Sequence, residues 1–167
     1  GSGGGGGGGS KGTTTSGTTT GNHAPVNSIT GEWIRTADQK WIFVSGGRTF
    51  ADEWAYIHNP YANGDQPKAN WFRFSAESYM MTGWFTDSDG RSYYLNPNTD
   101  NTQGSMLTGW HWIDRKGDGT AECHYFTNQG ELLKDAVAPD GFQVNRDGAW
   151  IMNGQVQRKL LKTVAEH

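Results

Sequence analysis

The sequence of 167 residues is poor in cysteine, in charge of one sign and in long hydrophobic runs. Its single cysteine, Cys123, excludes an internal disulfide and a metal cluster held by several thiolates. The 14 Lys and Arg residues against 17 Asp and Glu give a formal net charge of -3, with no basic block, which argues against nucleic-acid binding. No apolar run reaches membrane-spanning length, so we expect no membrane insertion.

The first 22 residues have no aromatic side chain and consist of Gly, Ser and Thr apart from Lys11 and Asn22. They hold 11 of the 25 glycines. Such a segment cannot bury enough apolar surface to offset the entropy lost on ordering, which predicts a flexible linker over residues 1–28. Because the sequence opens within this linker, we expect a fragment whose targeting signal lies upstream.

The rest of the chain is rich in aromatic residues and repeats itself. All 8 Trp, 6 Tyr and 7 Phe follow residue 22. The sequence MMTGW at 80–84 returns as MLTGW at 106–110. Internal repetition of this kind is typical of arrays in which each unit packs on its neighbours.

Each unit has the pattern of a β-hairpin, because a Trp-led segment is followed by turn residues and a short aromatic strand. The turn Asp87-Ser88-Asp89-Gly90 separates Trp84 from Tyr93 and Tyr94 in this way. Polar insertions lengthen three of the units, at 58–69, 96–103 and 114–121. The units open at Trp33, Trp54, Trp84 and Trp110, and their aromatic strands are expected at 41–43, 71–74, 93–95 and 124–126.

A lone hairpin of this size is marginally stable in water, and stacking lets each hairpin cover the aromatic face of the next. The fold class predicted is therefore all-β, a solenoid of stacked β-hairpin repeats over residues 29–135. Ala136 stands where the next Trp is expected, and the glycine-rich turns beyond it predict a distinct capping hairpin over 136–154. Residues 155–167 are a tail, for which a short helix and a frayed end both remain open.

The two Thr-Gly-Trp units resemble the cell-wall-binding, or choline-binding, repeats of Gram-positive bacteria, which are related to glucan-binding and clostridial toxin repeats. The segments PDGFQV at 139–144 and GAW at 148–150 are similar to the end of many such proteins. The resemblance covers roughly residues 31–154. It implies a secreted, non-catalytic module, attached to the bacterial cell wall or surface, that anchors an upstream domain.

The resemblance also implies ligand sites between successive hairpins. Carried over to this sequence, the candidate ligand-binding residues are Trp33 with Trp41, Trp54 with Trp71, and Trp84 with Tyr93, with Tyr125 or Trp110 as a possible third wall of the last site. The fourth unit departs from the pattern, because His124 stands where an aromatic residue is expected and a protonated imidazole repels a cation.

Aromatic cages of this type recognise quaternary ammonium groups through the ring quadrupole, with each contact worth about 0.5–2 kcal/mol. Several weak sites in a row act together on a polymer that displays many ligands. The same rings also stack on sugars, so choline-bearing teichoic acid and a wall glycan both remain open as the polymer. The alternative function is a structural or adhesive repeat that binds a protein partner, with the aromatic residues as core.

Catalytic and metal-binding patterns are weak. Cys123 and His124 are neighbours on a predicted strand, so their side chains point to opposite faces and form no dyad. The Asp-rich segments around Asp87 and Asp114 lack the Glu that completes a calcium loop, and hairpin turns explain both. We therefore expect no enzyme, no cofactor and no metal site. The oligomeric state stays open.

Overall fold

The computed structural model describes residues 27–161. The predicted linker lies outside the described residues except for its last two positions, and so does the end of the predicted tail. No helix occurs between residues 27 and 161, and the strands there pair antiparallel, which confirms the all-β prediction.

Four antiparallel hairpins follow one another along the chain, as the Trp-led units predict. Every aromatic strand expected from the sequence lies within the second strand of one hairpin. The hairpins are formed by β1 (Glu32–Arg35) with β2 (Trp41–Val44), β3 (Glu53–His58) with β4 (Ala69–Phe74), β5 (Gly83–Thr86) with β6 (Ser92–Leu95), and β7 (Gly109–Ile113) with β8 (Thr120–Phe126).

The C-terminal part contains more strands than the single hairpin and tail expected from the sequence. One antiparallel sheet runs in the order β9 (Ala136–Val137), β10 (Gln143–Val144), β11 (Trp150–Met152) and β12 (Gln155–Val156). β13 (Arg158–Leu160) then pairs with β8 of the fourth hairpin. Residues 155–160 are therefore neither helical nor frayed, because residues 155–156 pair with β11 and residues 158–160 find hydrogen-bond partners on the open edge of β8, which local sequence does not reveal.

Several tight turns share a capping side chain at their first position. The Asp87 carboxylate accepts the backbone N–H groups of the second and fourth residues after it, and the Asn145 side-chain carbonyl does the same. The turn glycines Gly90 and Gly148 have φ of +86° and +85°, a backbone conformation that favours glycine. The same capping pattern begins at Ser75 and Thr127.

Three buried clusters lie between hairpins that are consecutive in sequence. The first joins Phe43 to Phe72 and Phe74, the second joins Trp54 to Tyr93 and Leu95, and the third joins Trp84 and Tyr94 to Phe126 and Leu132. Each of the second, third and fourth hairpins thus buries one face against the hairpin before it, which is the nearest-neighbour packing that a repeat array requires.

The segments that follow the hairpins bind consecutive hairpins together through the backbone. The N–H of Met80, after the second hairpin, donates to the carbonyl of Trp41 in the first at 2.8 Å. The next N–H along, that of Met81, donates to Arg73 in its own hairpin at 2.9 Å. The same pair of backbone hydrogen bonds recurs after the third hairpin, at Met106 and Leu107, and after the fourth, at Leu132 and Leu133.

Glycine at one turn is required by space as well as by conformation. A β-carbon built at Gly148 lies 2.9 Å from the Cγ, Cδ1 and Cδ2 atoms of the buried Leu132. A β-carbon built at Gly90, in a turn of the same type, meets nothing within 4 Å. The contact between Gly148 and Leu132 therefore fixes how closely the C-terminal sheet approaches the segment after the fourth hairpin.

We expect Gly148→Ala to cost more stability than Gly90→Ala. Both variants force alanine into a left-handed conformation, at about 1–2 kcal/mol each, and Gly148→Ala adds overpacking against Leu132 of about 1–3 kcal/mol. Urea unfolding of the two variants measures the difference, with Gly90→Ala as the matched control. Equal losses of stability would show that Leu132 moves aside without cost.

Candidate functional site

The structure repeats one aromatic pair in three of the four hairpins. The Trp that opens the first strand lies opposite an aromatic ring on the second strand, because the register aligns them. Centroid distances and interplanar angles are nearly constant: 5.0 Å and 57° for Trp33–Phe43, 5.0 Å and 59° for Trp84–Tyr94, and 5.1 Å and 59° for Trp110–Tyr125. Tilted pairs of this kind stabilise beyond the area they bury.

The second hairpin departs from this arrangement. Its Trp54 lies opposite Arg73, and the ring pair shifts two residues along, to Tyr56 and Trp71 at 5.1 Å. Trp54 instead packs edge-on against Tyr93 of the next hairpin, at 5.0 Å. Trp54 and Tyr93 are only 5% and 1% exposed, so neither ring presents a face to solvent.

Two of the three predicted pairs lie on a common face of their hairpin. Trp33 and Trp41 are diagonal neighbours, because Trp33 aligns with Phe43 two residues beyond Trp41. Trp54 and Trp71 stand in the same relation. Trp33, Trp41 and Trp71 are all half-buried, and Trp33 packs against the first buried cluster as Trp71 does against the second. Binding of a ligand by these residues stays a prediction.

The third predicted pair is separated by the fold. Trp84 aligns with Tyr94, and Tyr93 aligns with Phe85, so the side chains of Trp84 and Tyr93 point to opposite faces of the hairpin. The two residues are nine apart, whereas Trp33 and Trp41 are eight apart, and a shift of one residue exchanges the faces. The diagonal position beside Trp84 is taken by Ser92.

A larger group of rings lies between the fourth hairpin and the C-terminal sheet. We call it the terminal aromatic cluster. Contacting rings in it have centroid distances of 5.1 to 6.4 Å. It contains both predicted third-wall residues, and its members are Trp110, Trp112, Tyr125, Phe142 and Trp150.

The terminal aromatic cluster is open to solvent and has an acidic neighbour. Phe142 is 45% and Trp112 is 37% exposed, and Trp110 and Trp150 are half-buried. The Trp110 indole N–H donates to a carboxylate oxygen of Asp140 at 2.7 Å. Sequence reasoning missed Trp112, Phe142 and Trp150 as site residues, although the PDGF and GAW segments marked this region as distinct.

Basic side chains of the chain itself lie over several aromatic rings, one of which, Trp112, belongs to the terminal aromatic cluster. The closest pairs are Arg48 with Phe50 at 4.1 Å, Arg115 with Trp84 at 4.2 Å and Arg73 with Phe85 at 4.6 Å from charged group to ring centroid. Longer contacts join Arg35 to Trp41, Lys159 to Trp112 and Lys40 to Tyr79. Within residues 27–161, none of these cations lies over Trp110, Tyr125, Phe142 or Trp150.

His124 is a structural residue held in its neutral form. Its side chain is 1% exposed, and Nδ1–H donates to the carbonyl of Gly148 at 2.8 Å. Nε2 is buried and has no hydrogen-bond partner among the described residues. Burial is the main cause that lowers the pKa of His124, because a charge on the ring has no solvent around it.

The described residues offer no catalytic or metal-binding constellation. Cys123 aligns with Trp112 and His124 with His111, so the two neighbours point to opposite faces, as expected. The carboxylate of Asp114 accepts the backbone N–H groups of a turn, which lowers its pKa and accounts for it structurally. Between residues 27 and 161, no group of three or more His, Cys, Asp or Glu side chains is placed to hold a metal ion. The same stretch contains no helix long and apolar enough to cross a membrane.

The class of protein defined by these features is an all-β hairpin-repeat protein with aromatic interfaces. No protein-family model and no curated protein matches the sequence. Solved structures do resemble it. A truncated alternansucrase from Leuconostoc mesenteroides aligns at 20% identity and a TM-score of 0.51, over 72% of this chain and 10% of that one. This likeness shows a shared fold.

Choline-binding proteins are also among the structural neighbours. Choline-binding protein F from Streptococcus pneumoniae aligns at 21% identity and a TM-score of 0.41, over 77% of this chain and 48% of that one. The choline-binding domain of Spr1274 in Streptococcus pneumoniae aligns at 29% identity and a TM-score of 0.41, over 56% and 98%. This chain therefore spans less than half of the length of choline-binding protein F.

The buried His124 predicts a pH-dependent stability. Its folded-state pKa lies below the unfolded value of about 6.5, so the unfolded chain binds the proton first as the pH falls. The free energy of unfolding is therefore expected to drop below about pH 6.5, by at most about 1.4 kcal/mol per pH unit, until the pH reaches the folded-state pKa.

Urea unfolding of the protein and of His124→Gln between about pH 7 and about pH 5.5 tests this dependence. The variant is less stable at neutral pH, because it loses the packed imidazole, but its stability changes less across the window. His58→Gln is the control, since His58 lies at the end of β3, in a different hairpin from His124. Parallel curves for the protein and His124→Gln would show that His124 is not the titrating group.

Proposed function

We propose that this chain is a non-catalytic module that binds a polymer of the bacterial cell surface and anchors an attached domain there. The observation that carries the proposal is the terminal aromatic cluster. It is the group of rings with half-exposed or exposed faces, an adjacent carboxylate at Asp140 and no cation of the chain over Trp110, Tyr125, Phe142 or Trp150. Open aromatic surface of this kind marks a binding site rather than core.

The favoured ligand group is a quaternary ammonium, as in choline-bearing teichoic acid. The chain places its own Arg and Lys side chains over six other aromatic rings, so rings in this fold are accessible to cations of that size. The carboxylate of Asp140 beside Trp110 adds a negative charge that favours a cation further. A wall glycan that stacks on Phe142 and Trp112 is the second ligand class.

The remaining candidate residues have unequal parts in this proposal. Trp41 is half-buried and is proposed as a secondary contact along the same polymer, in competition with Arg35, which lies over its ring at 5.0 Å. Trp33, Trp54, Trp71 and Tyr93 are engaged in packing between hairpins and are proposed to support the sites rather than line them. Several weak contacts on one polymer would raise the overall affinity through multivalency.

We further propose that the hairpins form a solenoid over residues 29–135 and that the sheet that begins at residue 136 caps it. The three buried clusters between consecutive hairpins and the repeated backbone bonds from Met80, Met106 and Leu132 support this arrangement. Attachment to the outside of the cell follows from the proposed ligand, because that polymer is found there.

Removal of one exposed ring tests the site without removal of its fluorescent reporters. We expect choline to change the Trp fluorescence of the protein in a saturable way, and Phe142→Ala to weaken binding about tenfold, because one cation–π contact is lost while Trp110 and Trp150 remain. Tyr61→Ala is the control. Tyr61 is 73% exposed in the loop between β3 and β4, so its loss leaves the Kd for choline unchanged.

The same titration separates the ligand classes. A response to soluble glucan fragments but not to choline, lost in Phe142→Ala, would assign the cluster to a glycan. Silence with choline, glucan fragments and purified teichoic acid would contradict the proposed function and favour the structural or adhesive repeat, whose partner is a protein.

A further inference from the structure

The insertion that lengthens the fourth hairpin reaches back onto the third. Arg115, in the loop between β7 and β8, places its guanidinium 4.2 Å from the ring centroid of Trp84. Among the described residues Arg115 has no salt bridge to a carboxylate. One guanidinium nitrogen makes a long hydrogen bond, 3.4 Å, to the backbone carbonyl of Asp147. The Trp84 ring and this one carbonyl are therefore the contacts that hold the guanidinium in place.

Trp84 sits in a niche with three further ring contacts, beside the buried cluster that also contains Ile113 and Leu132. Tyr94 packs on it at 5.0 Å, His124 meets it edge-on at 5.5 Å and Phe126 lies at 5.8 Å. His124 is buried with a lowered pKa, so it adds no positive charge near neutral pH. With Arg115 removed, the niche is an uncharged aromatic site for a cation.

A guanidinium and a quaternary ammonium require the same place over an indole face, within about 6 Å of the ring centroid. The two cannot stack on one face together, and like charges repel at that distance. We propose that Arg115 is an intramolecular cation that occupies the Trp84 niche and excludes a cationic ligand from it. The inference rests on the proposed function in one respect, namely that a cation is the ligand.

This arrangement makes Arg115 a residue that determines how many sites the chain offers. The terminal aromatic cluster has no cation over Trp110 or Trp150 and stays available, whereas the Trp84 niche is filled by the chain itself. Arg35 over Trp41 is a looser version of the same contact, at 5.0 Å and on an exposed strand residue. The insertion at 114–121 thus replaces a ligand contact with an internal one.

The test is a titration of Arg115→Gln with tetramethylammonium and with choline, in which the indole N–H signals of the individual Trp residues are monitored by NMR. We expect the Trp84 signal of the variant to shift in a saturable way, with a Kd about tenfold lower than at the same niche in the unaltered protein. The signal is assigned with Trp84→Phe. Lys116→Gln is the matched control, because it removes the same charge from the same loop and leaves Arg115 over Trp84.

Each result bears on the inference separately from the proposed function. Binding at Trp84 that is about tenfold tighter in Arg115→Gln than in the unaltered protein supports the inference whether or not the Trp110 signal responds. A Trp84 signal that responds equally in both proteins, or in neither, overturns it. A Trp110 signal that responds to neither cation contradicts the choline form of the proposed function alone.

A second variant guards against a change of fold. Arg115→Lys keeps a positive charge in the loop, where it still covers the Trp84 ring. Its Trp84 signal therefore stays as insensitive to tetramethylammonium as that of the unaltered protein. If the NMR spectrum of Arg115→Gln loses its dispersion, the variant is unfolded, and Arg115→Lys is compared with the unaltered protein instead. A lysine variant that admits tetramethylammonium at Trp84 as strongly as at Trp110 would also overturn the inference.

Discussion

The array of hairpins depends on aromatic packing, in which the strand-opening Trp of three hairpins packs on the ring opposite it and that of the second hairpin packs on its neighbour. A two-stranded hairpin is marginal by itself, so each one has to bury an aromatic face on the next. The pairs Trp33–Phe43, Trp84–Tyr94 and Trp110–Tyr125 repeat one geometry because the same register repeats. The backbone bonds after each hairpin and the three buried clusters follow from that register, since both need the hairpins at a constant distance.

The same constraint limits where a ligand can bind. A ring that holds two hairpins together has little face left for solvent, as Trp54 and Tyr93 show. A ring whose face is not used in packing between hairpins is covered by a basic side chain of the chain itself, as Trp84 is by Arg115. Within the part of the chain that the structure describes, a group of rings remains open where the fourth hairpin meets the C-terminal sheet, since a small sheet covers a hairpin face incompletely. Stability and binding are thus served by the same residue type at different places along the chain.

Much of the fold was predictable from the sequence, because its signals are local. The spacing of Trp33, Trp54, Trp84 and Trp110 located four hairpins, and turn residues such as Asp87 to Gly90 located their bends. For the candidate site, the sequence predicted only that aromatic residues form it, and not which of them lie together. Whether Trp84 lies opposite Tyr93 or Tyr94 depends on a register shift of one residue. Because the loop length varies between hairpins, the sequence does not reveal that register. The strand at 158–160 depends on a distant partner, β8, and no short-range pattern records that.

The sequence by itself determined the all-β class, the four Trp-led hairpins and the reliance on aromatic residues, because hydrophobic alternation and turn chemistry act over a few neighbouring positions. Only the tertiary structure decided which rings are core, which are covered by Arg or Lys, and which stay open beside Asp140. The physical reason is that exposure and charge pairing are properties of residues brought together from far apart. Trp110 and Trp150 are 40 positions apart in the sequence and meet only after four hairpins and the C-terminal sheet have packed.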